Sequence, residues 1–142
     1  MSTITADLSS GFRVELRSGA HTWYADEPES LGGTDTGPGP YELLLGSLGA
    51  CTLITLSMIA NREKIPVEHI SARFEYERIH GDDCVKCDEA GKPYLHEVTT
   101  HIFIDGDFTD EQKRRLERVT TRCPVHRTLE DGVVFDENIH IG

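Results

Sequence analysis

Four cysteines are the residues of this chain best suited to chemistry, and they fall into two pairs. Cys51 and Cys123 lie 72 residues apart, so any partnership between them is spatial. Cys84-Val85-Lys86-Cys87 is a local C-x-x-C, with His80 four residues before it and His96 nine after. The thiolate is the form of cysteine that attacks and that binds metal. Two thiols that meet can cycle between dithiol and disulfide. The local pair has spacing that zinc sites use, with four sulfur and nitrogen ligands. A second Cys pair is missing, so such a site would borrow His80, His96 or His101. A redox C-x-x-C fits the same residues, although it lacks the helix start that favours thiolate in thioredoxin-like motifs. So does a plain pair of thiols on a polar loop.

The surroundings of the distant pair differ. Cys123 precedes Pro124, a residue suited to the first turn of a helix. A thiol at a helix N-terminus faces unpaired N–H groups and the positive end of the dipole, which stabilise thiolate. Arg122, His126 and Arg127 are its close neighbours in sequence. Cys51 sits mid-helix among apolar residues, where burial disfavours the charged form. To act as a nucleophile it needs a cation from elsewhere. Arg62 is about three turns along the same helix, roughly 16 Å by the helix rise, and is out of reach. Arg13 or Arg17 would serve if their hairpin crosses the helix. Taken alone, each cysteine also reads as a small buried hydrophobe.

The element that must position Cys51 is the long apolar stretch at 39–63. Between Glu42 and Arg62 there is no charged residue. Leu44, Leu48, Cys51, Thr55, Met58 and Arg62 recur at gaps of four and three, which is helical spacing. Leu43, Leu45, Leu53, Ile54, Leu56 and Ile59 make the other faces apolar too, so the helix should be buried on all sides. Gly46, Ser47, Gly49, Thr52 and Ser57 dilute it, and it reads as a core helix rather than a membrane span. So short a chain is expected to cover such a helix only as a dimer.

Around it the pattern alternates. Phe12, Val14 and Leu16 point to one face, Arg13, Glu15 and Arg17 to the other, and Arg17–Ala20 makes a turn into a second strand at 21–25. Residues 26–40 hold three Pro, four Gly and four acidic residues and read as loop. Lys64-Ile65-Pro66 ends the helix. Strands follow around Ile70–Glu77 and Val98–Ile104, with a polar loop at 80–93 between them. Thr109 and Gln112 form a capping box for a second helix. On that helix Leu116, Val119 and Cys123 make an apolar stripe, and Lys113, Arg114, Arg115, Glu117 and Arg118 read as a solvated face. A short helix from Pro124 to Gly132 and a last strand at 133–141 complete an α+β plan, with sheet covering a central helix.

The chain has 142 residues and a net charge of −11, which suits one domain and argues against non-specific binding to nucleic acid or to an anionic membrane face. The first ten residues have neither a basic nor an apolar signal region, so the expected location is cytoplasmic. In that compartment cysteines are catalytic, redox-active or metal-binding more often than a disulfide framework.

Residues 37–60, GPGPYELLLGSLGACTLITLSMIA, and 122–129, RCPVHRTL, resemble the OsmC/Ohr family of organic hydroperoxide reductases. Residues 21–33, HTWYADEPESLGG, are similar to the entry loop of its OsmC-like branch. The resemblance implies one OsmC-like domain over 1–142, made of a hairpin and loop (1–38), a central helix (39–63) and a β-β-α-α-β part with a loop insertion at 80–93 (64–142). It implies an intertwined homodimer, with antiparallel sheets wrapped around two long central helices and sites at the subunit interface. It implies that Cys51 is the peroxidatic cysteine and Cys123 the resolving one. The substrate would be an organic hydroperoxide and the reductant an external dithiol, often a lipoyl group, with no bound cofactor. A family Glu ten residues before the first cysteine, which orients a catalytic Arg, is Tyr41 here, and Glu42 follows it. Arg17 takes the place of the family Arg by strand order, with Arg13 as the alternate. Two other readings stay open: a binding or redox-sensing protein without catalysis, with zinc at Cys84 and Cys87, and a structural member with inert thiols.

Overall fold

A computed structural model of the chain describes residues 1–80, 91 and 93–142. It resolves into two compact units, Met1–Gly46 and Ser47–Gly142.

The first unit is a three-stranded antiparallel sheet in the order β1-β2-β3, followed by a loop and the first turns of a helix. Strand β1 is Thr5–Asp7, β2 is Val14–Ser18 and β3 is His21–Ala25. The expected hairpin forms with Ser18 opposite His21 and Val14 opposite Ala25. The loop after β3 closes on one side chain. Asp26 is 2% exposed, and its carboxylate accepts from the N–H groups of Glu27, Thr34 and Thr36 and from both threonine hydroxyls. A Cβ on Gly33 would lie 1.9 Å from the Glu27 carbonyl oxygen, so only glycine fits this turn. The loop ends at Pro38, whose carbonyl accepts from the Asp26 N–H.

Helix α1, Pro40–Glu63, starts where the sequence predicts. The Gly39 carbonyl takes the first helical bond from Leu43, and the Glu42 carboxylate reaches back to the Gly39 N–H at 2.8 Å. Its other end is a reversal. Lys64 adopts a positive φ of 55°, the Lys64 N–H points to the Asn61 carbonyl, and the Ile65 N–H bonds that of Ala60 at 2.9 Å. That pattern usually carries glycine at the turning residue. Here the apolar closure between Ile65 and Ala60, both buried, holds it.

The second unit contains most of α1, the hairpin of β4 (Val67–His80) and β5 (Tyr94–Gly106), and the helices α2 (Asp110–Val119) and α3 (Pro124–Asp131). Both strands are longer than their apolar alternation indicates, because cross-strand bonding continues through polar pairs such as Arg78 with His96. The core joins Leu56 and Ala60 of α1 to Ile65, Leu116 and Val119, with Ile70, Ile102, Ile104 and Phe108 packed on it. The capping box of α2 forms as expected, from Thr109 and Gln112. Arg115 departs from the expected solvated face. Its guanidinium forms a two-pronged pair with Glu63 at the end of α1, with Nε to Oε2 at 2.9 Å. The pairing holds the Glu63 carboxyl below its ordinary range and raises Arg115.

Within one chain α1 is not buried on all sides, as expected of a chain too short to cover it alone. Leu48, Thr52, Leu56 and Ala60 form a single buried ridge at four-residue spacing, while Ile54 and Met58 are 57% and 67% exposed. By length and composition α1 is also apolar enough to cross a membrane, a test that core helices pass too. One expectation is corrected, the last strand. Residues 133–141 form none, and Val134, Phe135, Ile139 and Ile141 are largely exposed. Apolar and β-branched residues alone do not make a strand, since its backbone groups need a neighbouring strand to bond.

Candidate functional site

Cys123 is the N-cap of α3, and the sequence dictates it: Pro124 fixes the first helical residue and leaves the preceding one extended. Its sulfur accepts the His126 N–H at 3.2 Å, one of the donors a helix start leaves unpaired. Cys123 is fully buried. Tertiary packing seats the same sulfur against α1, 3.6 Å from the hydroxyl of Thr52. Thr52 belongs to the buried ridge and also lies 2.8 Å from the Leu48 carbonyl. Cys51 is the next residue toward the start of the helix and is half-buried, and both thiols are free. The fold therefore brings Cys123 to the stretch of α1 that carries Cys51.

Other side chains near Cys123 in sequence are engaged elsewhere or exposed. The His126 ring reaches Glu130 at 3.1 Å, one turn along, and Arg122 and Arg127 are exposed.

The remaining predicted residues belong to the first unit, to the hairpin, or to the segment outside the described residues. Arg17 lies on β2, exposed and ion-paired with Glu15. Arg13 holds its guanidinium 4.0 Å from the centre of the Tyr24 ring. Glu42 bonds the Gly39 N–H, a helix-capping contact. His96 on β5 bonds the Tyr76 hydroxyl through Nδ1 at 2.7 Å and stacks on its ring. His80 ends β4. Cys84 and Cys87 lie outside the described residues. Among the described residues no three His, Cys, Asp or Glu side chains gather as metal ligands would.

Two residues were missed by reading the sequence. Thr52 is one, and no sequence pattern reveals it, because its partner is 71 residues away. Asp26 is the other. Its signal is a short polar side chain opening a Gly-rich loop with threonines at 34 and 36. Its carboxyl is held well below the usual carboxylate range, first by the Thr34 hydroxyl, then by Glu27 and Thr36, against the opposing effect of burial.

No curated protein matches the chain. Solved structures do. An OsmC-like protein from Mycoplasma pneumoniae is 25% identical, with a TM-score of 0.71 over 92% of this chain and 87% of its own. An organic hydroperoxide resistance protein OsmC from Legionella pneumophila is 21% identical, with a TM-score of 0.63 over 91% and 88%. One from Elizabethkingia anophelis, an organic hydroperoxide resistance protein, is 20% identical, with a TM-score of 0.63 over 90% and 86%. The last two likenesses are likenesses of fold. Residues 33–138 match the family described as OsmC-like protein, a span that includes Cys51, Thr52 and Cys123. The chain is a member of the OsmC-like family.

Proposed function

We propose that this protein is a thiol-dependent peroxidase that reduces organic hydroperoxides through Cys51 and Cys123. The observation that carries the reading is the seat of the Cys123 sulfur against Thr52, the residue after Cys51 on α1. Membership of the OsmC-like family supports it, as do fold relatives named for organic hydroperoxide resistance.

Cys51 thiolate attacks the O–O bond, an alcohol leaves, and Cys51 becomes a sulfenic acid. Cys123 condenses with it to a disulfide and water is released. An external dithiol, of lipoyl type by the family resemblance, restores both thiols by exchange. Half-burial of Cys51 on an apolar helix favours an organic peroxide over hydrogen peroxide. Arg17 is proposed to supply the positive charge for the attacking sulfur, and Glu42 to orient that guanidinium. The working form is a cytoplasmic homodimer in which a second copy covers Ile54 and Met58, since large apolar residues at such exposure mark an association surface. Two α1 helices would then lie at its centre.

The test is turnover of cumene hydroperoxide with dihydrolipoamide. Cys51→Ser should abolish it, and peroxide-treated protein should carry a Cys51–Cys123 disulfide by peptide mass mapping. Turnover by Cys51→Ser at the rate of the unsubstituted protein would end the proposal.

A further inference from the structure

The Thr52 hydroxyl has two acceptors and one proton. Its oxygen lies 2.8 Å from the Leu48 carbonyl and 3.6 Å from the Cys123 sulfur. All three residues are buried, at 3% exposure or less. A hydroxyl both donates and accepts, so two arrangements satisfy these positions. With a neutral thiol, Cys123 donates S–H to Thr52 Oγ1 and Thr52 donates to Leu48. With a thiolate, the S–H is gone and the Thr52 O–H turns to sulfur.

Turning is cheap. The Leu48 carbonyl is the i−4 acceptor of the Thr52 backbone N–H within α1, so it keeps a partner when the hydroxyl leaves. Leaving a buried anion short of donors would be costly. After the turn, sulfur has two donors from two elements: the Thr52 hydroxyl on α1 and the His126 N–H on α3. Hydrogen bonds to a charged group are the stronger kind.

We propose that Thr52 is the positioning residue of the resolving step, its hydroxyl turning from the Leu48 carbonyl to the Cys123 sulfur and holding that thiolate against the helix that carries Cys51. This rests on the peroxidase reading above. The step itself is balanced. The Cys51 S–O bond breaks, the S–S bond forms, and the departing oxygen takes the proton given up by Cys123 and leaves as water. Thr52 is unchanged at its end. Back-bonding to an i−4 carbonyl is an ordinary habit of helical threonine. By itself it gives Thr52 no part in the chemistry, and the two roles predict different variants.

The experiment follows two steps in single turnover with cumene hydroperoxide: sulfenic acid formation at Cys51, trapped with dimedone, and disulfide formation, read by mass. Thr52→Val keeps the shape and loses the hydroxyl. It should slow disulfide formation about tenfold relative to sulfenic acid formation, the order of one hydrogen bond to a charged group. Thr52→Ser keeps the hydroxyl and should restore the ratio to within about twofold. Should Thr52→Val fail to fold, Thr52→Ala against Thr52→Ser makes the same comparison, since both lack the γ-methyl. Equal ratios in the hydroxyl-bearing and hydroxyl-free variants would overturn the role of Thr52 alone. Absence of both sulfenic acid and disulfide in the peroxide-treated unsubstituted protein would overturn it together with the peroxidase reading.

Discussion

The backbone N–H of His126 donates to the sulfur of Cys123 at 3.2 Å, so the atom proposed to form the disulfide is also the cap of α3. Capping and chemistry therefore compete for one sulfur. Cys123→Ala should lower stability by about 1 kcal/mol through the lost cap. Cys123→Ser, which keeps an acceptor, should cost less. Urea denaturation under reducing conditions compares them. Amide exchange over α3 should also quicken when the unsubstituted protein is oxidised.

The two cysteines should be unequal in catalysis. Cys51→Ser should lose at least about a thousandfold in hydroperoxide turnover, more than 4 kcal/mol of barrier. Cys123→Ser should still consume one equivalent of peroxide and stop at a Cys51 sulfenic acid, detectable as one added oxygen by intact mass.

Asp26 should make the protein sensitive to acid. Its folded carboxyl is held well below the unfolded value, first by Thr34. A carboxyl shifted in that direction contributes stability in full above its unfolded value of about 3.9. That contribution drains away as pH falls toward the folded value. The urea midpoint should therefore drop on acidification below about pH 4, the unfolded carboxyl range. Asp26→Asn should flatten that drop and lower the midpoint at pH 7, because its amide N–H₂ would face donors at Thr34 and Thr36. A parallel pH profile in the variant would remove the assignment.

Gly33 should tolerate no side chain. A Cβ would stand 1.9 Å from the Glu27 carbonyl oxygen, which is backbone and has no rotamer to yield. Gly33→Ala should cost about 1–3 kcal/mol, the range for overpacking, measured by thermal or urea unfolding.

The exposed side of α1 should govern association. Met58→Glu or Ile54→Glu puts a charge on a surface proposed to be dry in the dimer. The dimer Kd should rise about tenfold or more, about 1.4 kcal/mol, by sedimentation equilibrium. An unchanged Kd in both variants would take this face out of the interface.

Local rules made much of this protein legible in its sequence. Pro124 after Cys123 specifies a helix start with a sulfur at its cap, because proline fixes φ and restricts the residue before it. Thr109 and Gln112 bond each other across three residues, and the β2–β3 hairpin pairs neighbours across a turn. These interactions span few residues, so composition and spacing encode them. The failures share the opposite property. Residues 133–141 carry β-branched and aromatic residues and read as a strand, yet a strand exists only where another offers its backbone. Which face of α1 is buried could not be read from a helix apolar all round. Leu56 and Ala60 were buried by Leu116, Val119 and the β4–β5 hairpin packing with them, and Thr52 faces Cys123. The meeting of Thr52 with Cys123 lives at the same level. Sequence determined that a thiol would cap α3, and tertiary packing alone decided what that thiol would face, because contacts between distant segments depend on how whole elements fill space and leave no period in the chain.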